Sequence, residues 1–342
     1  MIDYNIINIS QVKIDHLSEF YQKVFNKRHS ILIKHKKWWY RNNFLGYEPI
    51  VLCAQDKVLG QAGLIPIKIR VDKKILPAIW FTDFAILPNY QRKGLGKILT
   101  EAWMKICPNQ ITFCNDKSLK IFKKFGWEEN SATKRLARPV NPIKWIPFLR
   151  NIKFDLLSNL FRNSLKKNIR NTVDLKLHPV NENYKMIIES LSKDINPNAN
   201  HAEIVRDEDW LNWRLMECPF RDNIYFLEHK ESFAIVHIFK SNNIKRFHIL
   251  YTFSENDKSE EILYDSLFKW SLSNSIDLIW ANSNNSNQIK KFEKILPRTF
   301  TKSMNFASWS ADKEIHKKLK LGLNNIQGID SDNDIISLGD KS

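Results

Sequence analysis

Ile86-Leu87-Pro88-Asn89-Tyr90-Gln91-Arg92-Lys93-Gly94-Leu95-Gly96-Lys97-Ile98-Leu99-Thr100-Glu101-Ala102-Trp103 is the stretch on which the reading of this chain turns. It joins the end of an apolar run, LPAIWFTDFAIL (76–87), to a segment of helical period that starts at Lys97. Glycines at 94 and 96 let the backbone turn tightly and approach a ligand. Successive amide N–H groups and a helix N-terminus then face one spot, which suits a pyrophosphate. Arg92 and Lys93 add full positive charges there.

Working outward, the first half alternates helices and strands. Residues 10–26 have helical period, with Val12, Leu17, Phe20, Tyr21 and Val24 in phase. Residues 49–54 and 58–70 predict a hairpin turning at Gln55-Asp56-Lys57, and 76–87 predict a third strand. After the loop come a helix to about Ile106, a strand at 110–115 and a short helix at 118–127 closed by Gly126. The second half repeats this order. Segment 209–229 echoes 37–55, strands follow at 232–240 and 246–253, and a helix spans 259–273. A strand at 276–283 and a helix at 287–296 close the second round. The expected fold is therefore α/β, in two tandem domains, each a mixed, mostly antiparallel sheet flanked by helices. The proline-rich segment 139–148 and a basic helix over 151–171 interrupt the repeat. Phe154, Leu157, Leu160, Phe161 and Leu165 lie along one face of that helix. The expected division is 1–140, a connector at 141–172, and 173–342.

A chain of 342 residues, 43% of them hydrophobic, can bury two cores. The formal net charge of +16 favours anionic partners without choosing among nucleic acid, membrane surface and phosphorylated small molecules. Cys53, Cys107, Cys114 and Cys218 form no C-x-x-C pair, which argues for buried thiols in a reducing cytoplasm rather than disulfides or zinc. The N-terminus MIDYNIINIS lacks the basic-then-apolar pattern of a secretory signal. The longest apolar stretch, Ile75 to Leu87, contains Asp83 and is too short to span a bilayer. No stable membrane insertion is expected.

The Gln91-x-x-Gly94-x-Gly96 loop, in its strand–loop–helix setting, resembles the acetyl-CoA-binding motif of the GNAT acyltransferase superfamily. Asn115-x-x-Ser118-x-x-x-Phe122-x-x-x-Gly126-Trp127 is similar to a second motif of that family. The resemblance is close over 76–127 and looser over 1–140. It implies acyl-CoA, acetyl or hydroxyacyl, as co-substrate, with no metal. It implies that Gln91, Arg92, Lys93, Gly94, Leu95 and Gly96 hold the pyrophosphate. Phe84, Ala85 and Ile86 would run alongside the pantetheine, their backbone polarising the thioester. Asn115 would bond the pantetheine, with Phe122 beside it. Many relatives carry a Tyr at that second position as acid to the leaving thiolate; a phenyl ring cannot donate a proton.

Attack on a thioester needs a neutral amine, so a nearby carboxylate is a candidate base. Asp83, alone in its apolar strand and close to the expected thioester, is that candidate; the alternative is a structural Asp bonding a backbone N–H or a lysine. In the second half the equivalent loop, Tyr251 to Lys258, has no glycine and carries Glu255 and Asp257, so only the first half is expected to bind coenzyme A. The second half would build the acceptor pocket. Its Trp213-Arg214…Pro219 segment and Asp330-Ser331-Asp332-Asn333-Asp334 ending resemble bacterial sugar N-acyltransferases of surface-polysaccharide (lipopolysaccharide O-antigen) pathways. That resemblance implies a nucleotide-linked amino sugar as acceptor, with Trp213, Arg214, Asp330 and Asp332 gripping it. Rival readings are a transferase for peptide or protein amines, a Fem-like ligase using aminoacyl-tRNA, and a membrane-surface protein docked through 150–170. The nucleotide-sugar reading is preferred to these rivals, and no nucleic-acid partner is expected. The Asp-x-Asp-x-Asp run lacks the glycine and distal Glu of a calcium loop.

Overall fold

The computed structural model describes residues 4–25, 28–41, 44–130, 132–146, 155–180, 184–192, 202–230 and 232–330. In chain order its strands are β1 (Asn5–Asn8), β2 (Ile50–Ala54), β3 (Lys57–Val71), β4 (Lys74–Ile86), β5 (Asn109–Cys114), β6 (Glu128–Asn130), β7 (Lys134–Pro139), β8 (His178–Pro179), β9 (Ala202–Ile204), β10 (Ile224–His229), β11 (Ser232–Ser241), β12 (Ile244–Ser254), β13 (Leu278–Ser283), β14 (Phe300–Ser303), β15 (Asn305–Ser310) and β16 (Leu323–Asn324). Its helices are α1 (Ile14–Val24), α2 (His29–Lys34), α3 (Lys36–Trp39), α4 (Leu95–Met104), α5 (Asp116–Lys124), α6 (Asp155–Lys166), α7 (Tyr184–Ser192), α8 (Glu208–Leu211), α9 (Asp257–Ser273), α10 (Ser286–Ile295) and α11 (Lys313–Lys320). The predicted order strand, strand, helix, strand, helix is present twice, as β3–β4–α4–β5–α5 and β11–β12–α9–β13–α10, each preceded by a further strand, β2 or β10.

The chain forms two compact units, and neither is a continuous stretch. The first comprises 1–130, 198–213 and 305–323; the second comprises 131–197, 214–304 and 324–342. This differs from the expected division at 140 and 172. In the first unit the sheet runs β1-β2-β3-β4-β5-β15-β6, with β9 against β3. In the second it runs β14-β7-β13-β12-β11-β10-β8. Each sheet thus takes in chain from the far half of the sequence: in the first, β15 sits between β5 and β6 while β9 and β16 extend the β3 side, and in the second, β7 sits between β13 and β14. Only one strand pair in each of these two paths is parallel, β4 with β5 and β12 with β13.

In the first unit, α4 buries Leu95, Leu99 and Trp103, spaced by four, against the sheet. Trp103 packs on Phe81 of β4, with ring centroids 3.8 Å apart, and stacks on Trp127 at 5.5 Å. These contacts fix where the α4 N-terminus emerges. Gly126, at φ +81°, ends α5 in the left-handed conformation that a side chain resists. The core of the second unit gathers Phe247, Ile249, Leu263, Leu267, Phe268 and Phe292 beneath α9 and α10.

Helix α6 corrects an expectation. Its inward residues are Ser158, Arg162 and Leu165, whereas Leu160 and Phe161, 58% and 46% exposed, face out. Ser158 donates to Asn141 Oδ1, and Arg162 pairs with Asp277 at 3.4 Å. Buried Ser158 and Arg162 seat this helix together with Leu165, which joins the apolar core of the second unit; Phe154 and the side chain of Leu157 lie outside the described residues.

Candidate functional site

β4 carries a bulge where the site begins. Gln61 of β3 faces Ala85 and Gly63 faces Thr82, so Asp83 and Phe84 together oppose Ala62. Asp83 takes up the extra length at φ +49°. On its other edge β4 pairs with β5 at Ile79–Gln110 and Trp80–Ile111, and Thr112 Oγ1 adds a bond to Phe81 O at 2.8 Å. Beyond that point the two strands part. The notch so formed is flanked by Asp83–Ile86, the residues expected beside a thioester. Phe84 is 36% exposed, Ala85 is half-buried and Ile86 is buried.

The loop predicted to hold a pyrophosphate closes one end of this notch. Pro88–Tyr90 make a 3₁₀ turn, and Gln91 Nε2 donates to Ile86 O at 3.0 Å, tying the loop to the strand end. Arg92 and Gly94 both adopt positive φ, +62° and +83°. Gly94 is the N-cap of α4 and no side chain caps that helix. Lys97 and Ile98 are the first amides bonded within it, both to Gly94 O. The earlier amides, including those of Leu95 and Gly96, are the orphan donors of a helix start, beside exposed Arg92 and Lys93. Leu95 itself is buried and serves as the helix's anchor, offering its backbone rather than its side chain. Backbone donors, helix dipole and two full charges together make an anion-binding concavity.

Asn115 is the N-cap of α5 and accepts from Ser118 N at 3.0 Å, so Oδ1 is used internally while Nδ2 points to no partner among the described residues. Phe122 departs from expectation. It is buried, edge-on to Phe81 at 5.4 Å and against Trp127 at 4.9 Å, and is a core residue rather than a cofactor contact.

Asp83 lies in the site, yet its carboxylate turns inward and is 2% exposed. Arg28 Nη1 donates to Oδ1 at 3.0 Å, Trp39 Nε1 to Oδ2 at 2.7 Å and Tyr40 Oη to Oδ2 at 3.2 Å. Sequence reasoning noticed the Trp-rich helix but not this contact, because the partners stand 43 to 55 residues upstream.

The residues expected to grip the acceptor are structural. Trp213 is buried and exchanges reciprocal bonds with Trp38: each indole donates to the other's backbone carbonyl, at 2.9 and 2.7 Å. Arg214 is 2% exposed, and its Nε donates to Ile329 O at 2.9 Å. Asp330 is buried and accepts from Gln327 N at 2.9 Å. These side chains are committed to the fold and offer no surface to a sugar. Asp332 and Asp334 lie outside the described residues.

In the second unit, the position that matches the notch contains chain. β12 and β13 pair from Arg246–Leu278 to Ile249–Ala281. Past that point Gln327 Oε1 accepts from Thr252 N at 2.8 Å and Gln327 Nε2 donates to Thr252 O at 3.0 Å. On the other edge Gln327 bridges Ser283, and Ile326 N donates to Asn284 Oδ1 at 2.9 Å. Gly328 is required there, since a Cβ would come within 2.6 Å of His248 Nε2. The helix after β12 is capped: Asn256 accepts from Ser259 N at 2.9 Å, and Asp257 and Glu260 occupy its first turn.

Among the described residues no group of His, Cys, Asp or Glu is arranged to hold a metal ion. No described helix is long and apolar enough to cross a membrane. Burial pushes the thiols of Cys114 and Cys218 up to about 12 and about 11, which leaves them protonated and unreactive.

Residues 14–127 match the model of the acetyltransferase (GNAT) family. No curated protein matches the chain. Among solved structures, a GCN5-related N-acetyltransferase from Kribbella flavida aligns with a TM-score of 0.58 at 9% identity, over 89% of this chain and 70% of that one. A GCN5-related N-acetyltransferase from Anabaena variabilis aligns at 0.57 and 12% identity, over 90% and 72%. Saccharomyces cerevisiae N-myristoyltransferase, solved with bound myristoyl-CoA, aligns at 0.57 and 12% identity, over 90% and 78%. At such identities the structural likeness is one of fold. Residues 14–127, which hold the β4 bulge, the glycine loop and α5, are thus the part of the chain similar to the acetyltransferase (GNAT) family, and the chain that carries them is an acyl-CoA-dependent N-acyltransferase.

Proposed function

We propose that this chain moves an acetyl or hydroxyacyl group from coenzyme A to the amine of a nucleotide-linked amino sugar, such as a dTDP-3-amino-3,6-dideoxyhexose, in the cytoplasm, for surface polysaccharide synthesis. The observation that carries the donor half is the parting of β4 and β5 beside an uncapped, glycine-started helix. The pyrophosphate lies on the amides before Lys97, with Arg92 and Lys93 beside it. The pantetheine follows the β4 edge from Ile86 back to Phe84, and Asn115 Nδ2 donates to it. The amine attacks the thioester carbon, the C–N bond forms, and the C–S bond breaks. The thiolate leaves without a protein acid at Phe122 and takes up the proton that the attacking amine releases.

Charge supports an anionic acceptor. From residue 20 to residue 47 the chain has no acid but carries Lys23, Lys27, Arg28, Lys34, Lys36, Lys37 and Arg41. Arg28 and Trp39 bracket α2 and α3 and both bond Asp83, so these helices sit against the β4 bulge. Burial, then the neighbouring Lys37, lowers the pKa of Lys36, and burial, then Lys34, lowers that of His35. An incoming phosphate would relieve that crowding. These charges support acceptor recognition by α2 and α3 in place of Trp213, Arg214 and Asp330. We further propose that the second unit is a degenerate copy that binds no coenzyme A.

The test is thiol release with acetyl-CoA and 3-hydroxybutyryl-CoA against a panel of nucleotide-linked amino sugars, free amino sugars and amine-bearing peptides. Release with nucleotide-linked sugars alone supports the reading. Equal rates with the free sugars, or transfer only to peptides, would overturn the acceptor assignment.

A further inference from the structure

We infer that Asp83 is a positioning residue: its carboxylate, held by Arg28, Trp39 and Tyr40, fixes the β4 bulge that presents backbone donors to the thioester. This rests on the acyl-transfer reading above and concerns how its central strand is shaped.

The argument starts from the backbone. Asp83 sits at φ +49°, a region that a non-glycine residue occupies only when its surroundings over-determine it. Here they do. Oδ1 takes Arg28, and Oδ2 takes both Trp39 and Tyr40, so donors from the start of α2 and the end of α3 converge on one side chain. Behind them lies a further layer. Tyr40 Oη accepts from Gln61 Nε2 at 2.8 Å, Tyr21 Oη donates to Gln61 Oε1 at 2.7 Å, and the two tyrosine hydroxyls are 3.2 Å apart. Burial lifts both tyrosines well above their ordinary range, so they remain protonated and able to donate. Gly63 lets the layers close: a Cβ there would stand 2.6 Å from Thr82 O, 3.0 Å from Tyr40 Cε1 and 3.1 Å from Asp83 Cβ.

A general base needs a lone pair aimed at the amine and room to receive its proton. Asp83 has both oxygens engaged on the helix side of the strand and is almost fully buried. What reaches the notch from this residue is its backbone. The carboxylate therefore acts through the bulge, by keeping the strand from relaxing into regular pairing with β3 and withdrawing its N–H groups from the notch.

The two roles predict opposite orders among variants. In the positioning role Asp83→Asn keeps an oxygen for Trp39 and Tyr40 and loses only the Arg28 ion pair. It should retain kcat within about tenfold, while Asp83→Ala should lose about a hundredfold or more. Trp39→Phe, which leaves the carboxylate in place, should reduce kcat by about tenfold with the pH dependence of kcat unchanged. Calorimetry with coenzyme A should show unchanged affinity in all three, which also certifies folding. Isotope-edited infrared spectra of bound acetyl-CoA labelled at the carbonyl carbon read the bulge without any acceptor. The carbonyl band should be shifted down in wild type and in Asp83→Asn, move part of the way back in Trp39→Phe, and return to its solution position in Asp83→Ala. If Asp83→Asn is as inactive as Asp83→Ala, the inflection in kcat disappears and the carbonyl band stays shifted in every variant, Asp83 is the base and the inference is overturned. Wild type that binds no coenzyme A would remove the donor reading itself, a different failure.

Discussion

The two units share an element order and a single parallel pairing of central strands, yet they treat the gap beyond that pairing in opposite ways. In the first, β4 and β5 part after Trp80–Ile111, and the next helix starts at Gly94 with no side-chain cap and Arg92 and Lys93 alongside. In the second, β12 and β13 are spanned beyond Ile249–Ala281 by Gln327, whose amide satisfies both the N–H and the C=O of Thr252. Thr252 stands three residues past its last parallel pair, as Asp83 does past Trp80. The second helix start is capped by Asn256 and carries Asp257 and Glu260, so its positive end is already neutralised. A backbone edge that cannot pair with a neighbouring strand needs some partner. One unit offers that edge to a ligand; the other fills it with the chain's own glutamine.

The sharpest way to break the comparison is Gly94→Val. A Cβ at 94 would meet nothing within 4 Å, so packing is not the obstacle. The obstacle is φ +83° for a β-branched residue, together with a side chain intruding where the phosphates would lie. Coenzyme A affinity measured by calorimetry should fall at least about a hundredfold, with a change in thermal midpoint of only a few degrees. In the second unit the corresponding damage is to stability. Arg214→Ala removes the buried donor to Ile329 O and should cost about 3 kcal/mol in urea unfolding, with coenzyme A affinity unchanged. Gln327→Ala strips the amide from Thr252 and should cost about 2 kcal/mol, without creating a coenzyme A site, because Asn256, Asp257 and Glu260 remain. The smallest effect sharpens where the acceptor is read. Lys36→Ala with Lys37→Ala should raise the KM for a nucleotide-linked acceptor about fivefold and leave that for acyl-CoA alone, the difference shrinking with added salt.

The strand and helix order of both units was legible because period, glycine placement and capping are local. Asn115, Gly126 and the 91–96 loop each fall where the spacing put them. The exchange of β7 and β15 was not legible, because which strand lies beside β5 depends on contacts almost 200 residues apart, which no local pattern records. Trp213 and Arg214 misled for a related reason. An aromatic-Arg pair suits a sugar site and a buried anchor equally, and only the reciprocal bonds to Trp38 and the bond to Ile329 distinguish them. For Asp83 the sequence gives the oddity, an acid in an apolar strand, and hides the reason, which is three donors supplied from helices upstream.

The count of coenzyme A sites on the full-length chain tests the central claim most directly. Isothermal titration of the protein with coenzyme A should give one site per chain, abolished by Gly94→Val and unaffected by Gln327→Ala. Two equivalent sites per chain, or one site that survives Gly94→Val and is lost with Gln327→Ala, would contradict the assignment of the donor to the first unit alone.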